Sequence, residues 1–424
     1  MTSEKVNEIL GIKDSYKMPD TLLSKLLSEE KETLLNKFME LGEPLDHDWF
    51  TEYYQSEHSD RDRLKQDFTP DCVCEIVSRL TDQQGLTGDI CAGTGGLTLK
   101  QWQKGADNFY CLEYSGRAIP ILLFNMCIRN TNAIIIHGDA LTREVFNCYK
   151  LTKTDKYSDI EVLTEVPEMK MDTIISNPPY SLKWDAAKER QEENRFKDYG
   201  LAPKSKADYA FLLDSLDRLE ETGTLVAILP HGVLFRGGTE EKIRTRLIQN
   251  NLIDTIIGLP DKLFLNTGIP VLIMILKKNR TRKDILFVDC SKDYEKDGAT
   301  NFMTDIHINR LIESVEQRKF IDKYAAVCLI NEVERNDYNL NIPRYVDTFE
   351  PEVLPYTLEE AIEGLAVLDK EILDTEIELV NMMKDLTAGT VEKRREIETV
   401  TNQMEELVEN GKDKLEQMQL EINT

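Results

Sequence analysis

The 424-residue sequence predicts an α/β protein with a doubly wound, mainly parallel sheet, a helical N-terminal segment and a helical, coiled-coil-like tail. Three observations predict it. Short aliphatic, β-branched runs alternate with helical stretches over residues 61–350. Before them leucines recur at helical spacing, and after them apolar residues repeat every seven positions. The expected domains are therefore 1–60, 61–350 and 351–424.

In the first segment Leu22, Leu23, Leu26, Leu27, Leu34, Leu35 and Phe38 recur between Asp20 and Gly42. Trp49, Phe50, Tyr53 and Tyr54 follow, and with no basic residue interleaved they read as a packing patch rather than a base-stacking surface. Strands are expected at 86–91, 108–113, 133–137, 171–176, 224–229, 252–257, 270–276 and 285–289, with helices at 115–129, 207–221 and 238–250. Ligands of such sheets bind beyond the carboxyl ends of the strands. Two connections, 142–170 and 181–206, are long. The second carries Trp184 with seven basic and five acidic residues, and is expected to be a mobile cover over substrate. In the tail Leu358, Leu365, Ile372, Leu379 and Leu386 form a heptad seam with Ala361, Leu368, Thr375 and Met382. Such a stripe serves either to fold back on its own domain or to meet a partner helix.

Lys and Arg number 52 and Asp and Glu 77, a net charge of −25, which disfavours autonomous binding to a polyanion. Residues 357–424 hold 18 acidic and 7 basic residues, a net of −11, leaving −14 on residues 1–356. The basic island 277–283 reads as a solvated loop. No apolar run approaches membrane-spanning length, and Met1-Thr2-Ser3-Glu4-Lys5 lacks a signal-peptide pattern. Eight scattered Cys and five isolated His point to a reducing cytoplasm and away from a structural metal site. Cys91, Cys111 and Cys127 sit among apolar residues and read as small core residues.

Chemistry concentrates at the expected strand ends. Asn177-Pro178-Pro179-Tyr180 follows the run at 171–176. Asn offers an acceptor and a donor, the prolines expose carbonyls that no helix claims, and Tyr offers a flat face. Together they can hold an exocyclic amino group by its protons and stack the ring that carries it, as methylation of a planar amine requires. Asp89-Ile90-Cys91-Ala92-Gly93-Thr94-Gly95-Gly96 closes the first strand and opens a helix, so backbone can approach a ligand closely. Glu113 ends the second strand, 20 residues beyond Gly93, where an acid commonly accepts from ribose hydroxyls. Asp139 ends the third and can read an adenine amino group. No Gly-Lys-[Ser/Thr] is present, so a phosphate-binding loop is excluded, and S-adenosylmethionine, a nucleoside without phosphate, suits the set.

With Phe68-Thr69-Pro70 ahead of the turn, and 206–211, 229–238, 258–270 and 338–345 behind it, the chain resembles the modification subunit of type I restriction–modification systems from about 68 to 349. The resemblance implies a Rossmann-like, S-adenosylmethionine-dependent core and methyl transfer to the 6-amino nitrogen of a flipped-out adenine in DNA. Asn177, Pro178 and Tyr180 would be catalytic. Phe68, Thr69, Pro70, Asp89, Ala92, Gly93, Thr94, Gly95, Gly96, Glu113, Asp139 and Asp208 would hold the cofactor, with Asp208 near its methionine end and no metal. Phe264 would be a second wall for the base. Implied partners are DNA, a specificity subunit docked through the C-terminal helices, a second modification subunit and a restriction subunit. Two rivals stand beside this reading: a methyltransferase of a protein side-chain amide, which shares the tetrapeptide, and a catalytically silent assembly subunit. His231 reads as structural.

Overall fold

The computed structural model describes residues 2–51, 53–54, 68–264, 268–298, 300–348 and 357–422; the side chains of 358–359 and 416–422 lie outside it, as do Asn266, Thr267 and the expected boundaries at 60–61 and 350–351. The chain divides into two compact units, Met1–Thr348 and Phe349–Thr424.

In the first unit the strands are β1 (Leu86–Ile90), β2 (Asn108–Glu113), β3 (Asn132–Gly138), β4 (Val145–Thr152), β5 (Asp159–Leu163), β6 (Met171–Ser176), β7 (Leu219–Pro230), β8 (Ile253–Gly258), β9 (Val271–Lys277), β10 (Asp284–Asp289), β11 (Glu295–Asp297), β12 (Thr300–Phe302) and β13 (Ala325–Leu329). Eleven of them form one sheet in the order β13-β10-β8-β9-β7-β6-β1-β2-β3-β4-β5, while β11 and β12 make a separate ribbon. β7, β6, β1, β2 and β3 are parallel neighbours, as are β8 and β10. β4, β9 and β13 run against them. The order reverses beside β1, between β6 and β2, and that switch point is where a ligand crevice opens.

Both faces of the central strands are covered, so β8 is buried at every position and β9 reads as a continuous apolar run rather than an alternating one. On one face lies the helix Ile119–Ile128, buried along its whole length. It is apolar all round save for Asn125 because the sheet covers one side and the N-terminal helices the other. Leu22, Leu35 and Phe38 of those helices share its core. Phe124 meets Phe38 edge-on at 4.7 Å and Phe50 at 5.0 Å between ring centroids. Each such ring contributes about 1.5–3 kcal/mol by leaving water. Trp49, Phe50, Tyr53 and Tyr54 are the packing patch their composition suggested.

Three local expectations change. The connection 142–170 is not a loop: β4 and β5 pair antiparallel and extend the sheet beyond β3. Its signal was weak because β4 is exposed over its first three residues. The basic island is a solvated loop at Asn279, Thr281, Arg282 and Lys283 but not at Arg280. The Arg280 side chain is buried, donates to Asp254 Oδ1 at 3.0 Å and to the Ile253 and Asp284 carbonyls, and ties β8 to β10. The segment 181–206 is pinned rather than free, because its own Trp184, Arg195 and Phe196 are buried.

In the second unit the helices Leu358–Lys384 and Val391–Ile422 pack together through Leu373, Ile377 and Val380 against Met404, Val408 and Leu415. Lys384–Glu405 and Lys414–Asp369 ion pairs span the two helices. The heptad seam takes no part in this packing: Leu365, Leu368, Ile372, Leu379, Met382 and Leu386 are about half exposed or more. No helix among the described residues is long and apolar enough to cross a membrane.

Candidate active site

A cavity of about 840 Å³ opens at the carboxyl ends of β6, β1, β2 and β3. Phe68, Thr69, Pro70, Ala92, Gly93, Thr94, Gly96, Glu113, Asp139, Asn177, Pro178 and Tyr180 all line it, although they are spread over more than 100 residues of sequence. Asp89, Gly95 and Asp208 do not line it.

The β1 turn depends on left-handed backbone. Gly93 has φ +58° and Gly95 φ +101°, and a Cβ on Gly95 would stand 3.0 Å from Leu122 Cδ1. Cys91 also has positive φ (74°) and lines the cavity, so it is a wall residue rather than plain core; burial holds its thiol well above the usual range. Helix Gly96–Gln103 begins with no side-chain cap, which leaves its first N–H groups toward the turn. Glu113 braces this turn: Gly93 N–H donates to Oε2 at 2.8 Å and Ser115 N–H to Oε1 at 2.6 Å. Burial raises the Glu113 pKa. Asp139 Oδ1 accepts from Leu141 N–H at 2.8 Å, which fixes its carboxylate at the cavity wall.

Asp89 sits beneath the turn. Its Oδ2 accepts from Thr98 Oγ1 at 2.5 Å, while its Oδ1 is buried without a hydrogen-bond partner. Burial pushes its pKa up to about 7. Asp208 also works from behind. It accepts from Ser181 N–H at 2.7 Å and from Arg236 Nη2 at 2.8 Å. Ser181 has φ +52°, so Asp208 anchors the left-handed residue at which the chain leaves the tetrapeptide.

At the end of β6, Asn177 Nδ2 donates to Thr69 Oγ1 at 2.9 Å, and the Tyr180 hydroxyl donates to Asn177 Oδ1 at 2.7 Å. The amide is thus held at both ends, and Oδ1 keeps a second lone pair for another donor. Phe264 meets the Tyr180 ring edge-on at 6.1 Å; it braces the ring and is not itself a cavity wall, whereas Leu263 is.

Arg195 joins the two halves of the cavity. Its side chain is fully buried and donates to the Ala140 carbonyl (2.8 Å), the Leu141 carbonyl (2.6 Å), Asp214 (2.7 Å) and Glu193 (2.8 Å). The segment that follows the tetrapeptide is thereby clamped to the turn carrying Asp139. Burial opposes ionisation of Asp214, but Arg218, Arg143 and Arg195 together hold it below the usual carboxylate range. His231 Nε2 donates to the Val271 carbonyl at 3.0 Å, away from the cavity, a structural position.

Sequence reasoning missed several lining residues: Asp48 and Tyr54 from the N-terminal segment, Tyr114 after Glu113, and Phe211 one turn after Asp208. Tyr54 meets Phe68 edge-on at 5.8 Å, and its hydroxyl lies 3.1 Å from Ser115 Oγ. Nothing local distinguishes Tyr54 from its buried aromatic neighbours.

Residues 47–353 match the family described as N-6 DNA Methylase. The chain belongs to that family. It is 30% identical over 323 residues to the methylase subunit of the type I restriction enzyme MpnII of Mycoplasma pneumoniae, covering 72% of this chain and 59% of that protein. It is 27% identical to the methylase subunit of the type I restriction enzyme MjaVIII of Methanocaldococcus jannaschii, covering 72% and 54%. A crystal structure of the type I restriction–modification methyltransferase subunit from Streptococcus thermophilus superposes with a TM-score of 0.62 at 32% identity, covering 81% of this chain and 75% of that one. The match with the first two relatives spans little more than half of their length. Within the family, the resemblance to type I modification subunits read from the motifs holds.

Proposed function

We propose that this chain is the modification subunit of a type I restriction–modification complex, a site-specific DNA methyltransferase acting on the N6 nitrogen of adenine with S-adenosylmethionine as methyl donor. The observation that carries the reading is a single cavity shared by Asn177, Pro178 and Tyr180 on one side and Glu113 and Asp139 on the other. The donor set fits the cofactor: two carboxylates for ribose and adenine, a turn of small residues for close approach, and no lysine in that turn for a phosphate.

When bound, S-adenosylmethionine supplies a methyl group activated by a positive sulfur. The chain's residues supply position. An adenine amino nitrogen is a poor nucleophile because its lone pair is delocalised into the ring. Asn177 Oδ1 and the Pro178 carbonyl accept its two protons, which favours a pyramidal nitrogen with an available lone pair. Tyr180 orients Oδ1 through its hydroxyl and offers its ring to the base. The target lies inside a duplex, so the adenine must swing out to reach this cavity. Arg195 and Asp208 keep the tetrapeptide in register with the cofactor side.

With −14 on residues 1–356, most phosphate contacts come from a partner that reads the DNA sequence. The exposed seam Leu365–Leu368–Ile372–Leu379–Met382 is suited to a specificity subunit's helix, since an apolar stripe of this length does not stay in water without cost. A second modification subunit and a restriction subunit complete the proposed assembly, in the cytoplasm.

The test is modified-base sequencing of DNA from cells carrying the wild-type gene or Asn177→Ala. Loss of 6-methyladenine from a split motif in the variant supports both the reaction and a recognition partner. An unchanged methylome in expressing cells sinks the proposal and moves the search to protein amides.

A further inference from the structure

We infer that Asp48, from the N-terminal helical segment, is a cofactor-binding residue that receives the α-ammonium group of the methionine part. This rests on the reading of the cavity as an S-adenosylmethionine site. Asp48 lines the cavity, and among the described residues that do, its Oδ2 is the buried side-chain oxygen with no hydrogen-bond partner.

The carboxylate is held in place by its other oxygen. Oδ1 accepts from Phe50 N–H at 2.9 Å and from Asn125 Nδ2 at 2.9 Å. The same Asn125 Nδ2 donates to the Thr94 carbonyl at 2.9 Å, so Asp48 is tied directly to the Gly-rich turn. Arg129 lies nearby but spends its donors elsewhere, on the Leu45 and His47 carbonyls and on Asn125. It shapes the backbone before Asp48 and stands as a neighbouring positive charge without hydrogen-bonding the carboxylate. The other acids at this end of the cavity are occupied: Asp46 pairs with His47 at 2.7 Å and Asp71 with Lys100 at 3.0 Å.

A buried carboxylate oxygen without a donor is costly, and one on a residue of a cavity wall is relieved when a ligand brings the donor. The cofactor's donors are few. Its adenine amino group is matched by Asp139 and its ribose hydroxyls by Glu113. The sulfonium has no hydrogen to give. The α-ammonium remains, with three donors and a positive charge. Asp48 also repels the neighbouring α-carboxylate, which orients the amino-acid end. The N-terminal segment therefore completes the cofactor site as well as packing the core.

Calorimetric titration of the full-length chain with S-adenosylhomocysteine and with its analogue lacking the α-amino group tests this without any methylation assay. Asp48→Asn keeps Oδ1 for Phe50 and Asn125, and its melting temperature is recorded beside the wild type. The expected result is a loss of about 10-fold or more for S-adenosylhomocysteine in Asp48→Asn, as for truncating one partner of a charged hydrogen bond. The analogue should bind the wild type weakly and the variant no more weakly, since Asp48→Asn removes only repulsion of its carboxylate. Equal weakening of both ligands by Asp48→Asn, or unchanged affinity for S-adenosylhomocysteine, overturns the inference and leaves the cofactor reading intact. Failure of the wild type to bind S-adenosylhomocysteine overturns the cofactor reading itself. Should Asp48→Asn not fold, Asp48→Ser takes its place, and equal wild-type affinity for the two ligands is by itself a refutation.

Discussion

Arg195→Met is the most informative structural perturbation. The guanidinium is fully buried and holds two backbone carbonyls and two carboxylates at 2.6–2.8 Å. Methionine fills much of the volume but donates nothing. The Ala140 and Leu141 carbonyls are then stranded, at about 1–3 kcal/mol each when buried without a partner. Asp214 keeps Arg143 and Arg218, at 2.9 and 2.8 Å, so its charge is not abandoned. The net loss is therefore about 3–5 kcal/mol, the range for breaking a buried ionic arrangement from one side. Unfolding entropy of about 2.1 cal/mol/K per residue gives the 348-residue first unit roughly 0.7 kcal/mol/K. The melting temperature should thus fall by about 4–7 °C. Differential scanning calorimetry measures it. Because the stranded carbonyls flank Asp139, affinity for S-adenosylhomocysteine should fall as well. Arg195→Lys restores charge but cannot fork onto both carbonyls, so it should recover only part of each loss. A melting temperature within 1 °C of wild type in Arg195→Met, roughly the effect of a neutral surface change, would refute the clamp.

The other predictions concern the site and the tail. Asn177→Ala should lower single-turnover methylation by about 10²–10³-fold, the usual cost of deleting one positioned polar group at a reacting centre, while cofactor affinity in a titration stays near wild type; equal loss of both contradicts the division of roles. Tyr180→Phe keeps the ring but removes the 2.7 Å bond to Asn177, and should slow the same step by about 2–10-fold, the worth of one neutral hydrogen bond. Asp89 has a folded pKa near 7, above its unfolded value, so the folded state holds a proton that the unfolded state releases. Its contribution to stability is therefore full below about pH 4 and declines as pH rises to about 7, by a total on the order of 4 kcal/mol at 1.36 kcal/mol per unit. In Asp89→Asn, denaturant titrations between pH 4 and 8 should lose that slope; an identical pH profile counts against the buried, protonated carboxylate. Ile372→Asp changes an exposed position and should leave the melting temperature within about 1 °C while abolishing co-purification with a recognition subunit. Retained co-purification would show that the seam is not the docking face.

Most of the sheet is legible in the sequence. The run Val271–Leu276 is buried at every position, and only a strand covered on both faces tolerates such continuous apolarity. The hairpin of β4 and β5 was not legible, because an edge strand with one wet face carries a diluted pattern. At the site the residue types alone pointed to Asn177, Glu113 and Asp139. The sequence also contains the heptad seam and the net charge of −25, both of which follow from composition and spacing.

Other facts required the tertiary fold. Asp208 and Asp89 stand behind the cavity rather than in its wall, since each is held by a neighbour that local spacing does not reveal. Arg280 and Arg195 become buried clamps because long-range packing brings carboxylates and carbonyls to them. The heptad seam stays exposed because the tail's two helices meet through the adjacent stripe of Leu373, Ile377 and Val380. Asp48 reaches the cavity wall because the helix carrying Asn125, 77 residues further on, holds its carboxylate there. Periodicity and residue type act over a few residues and can be read from the chain. Partnership between distant groups is decided by the layered packing that brings them within a hydrogen bond.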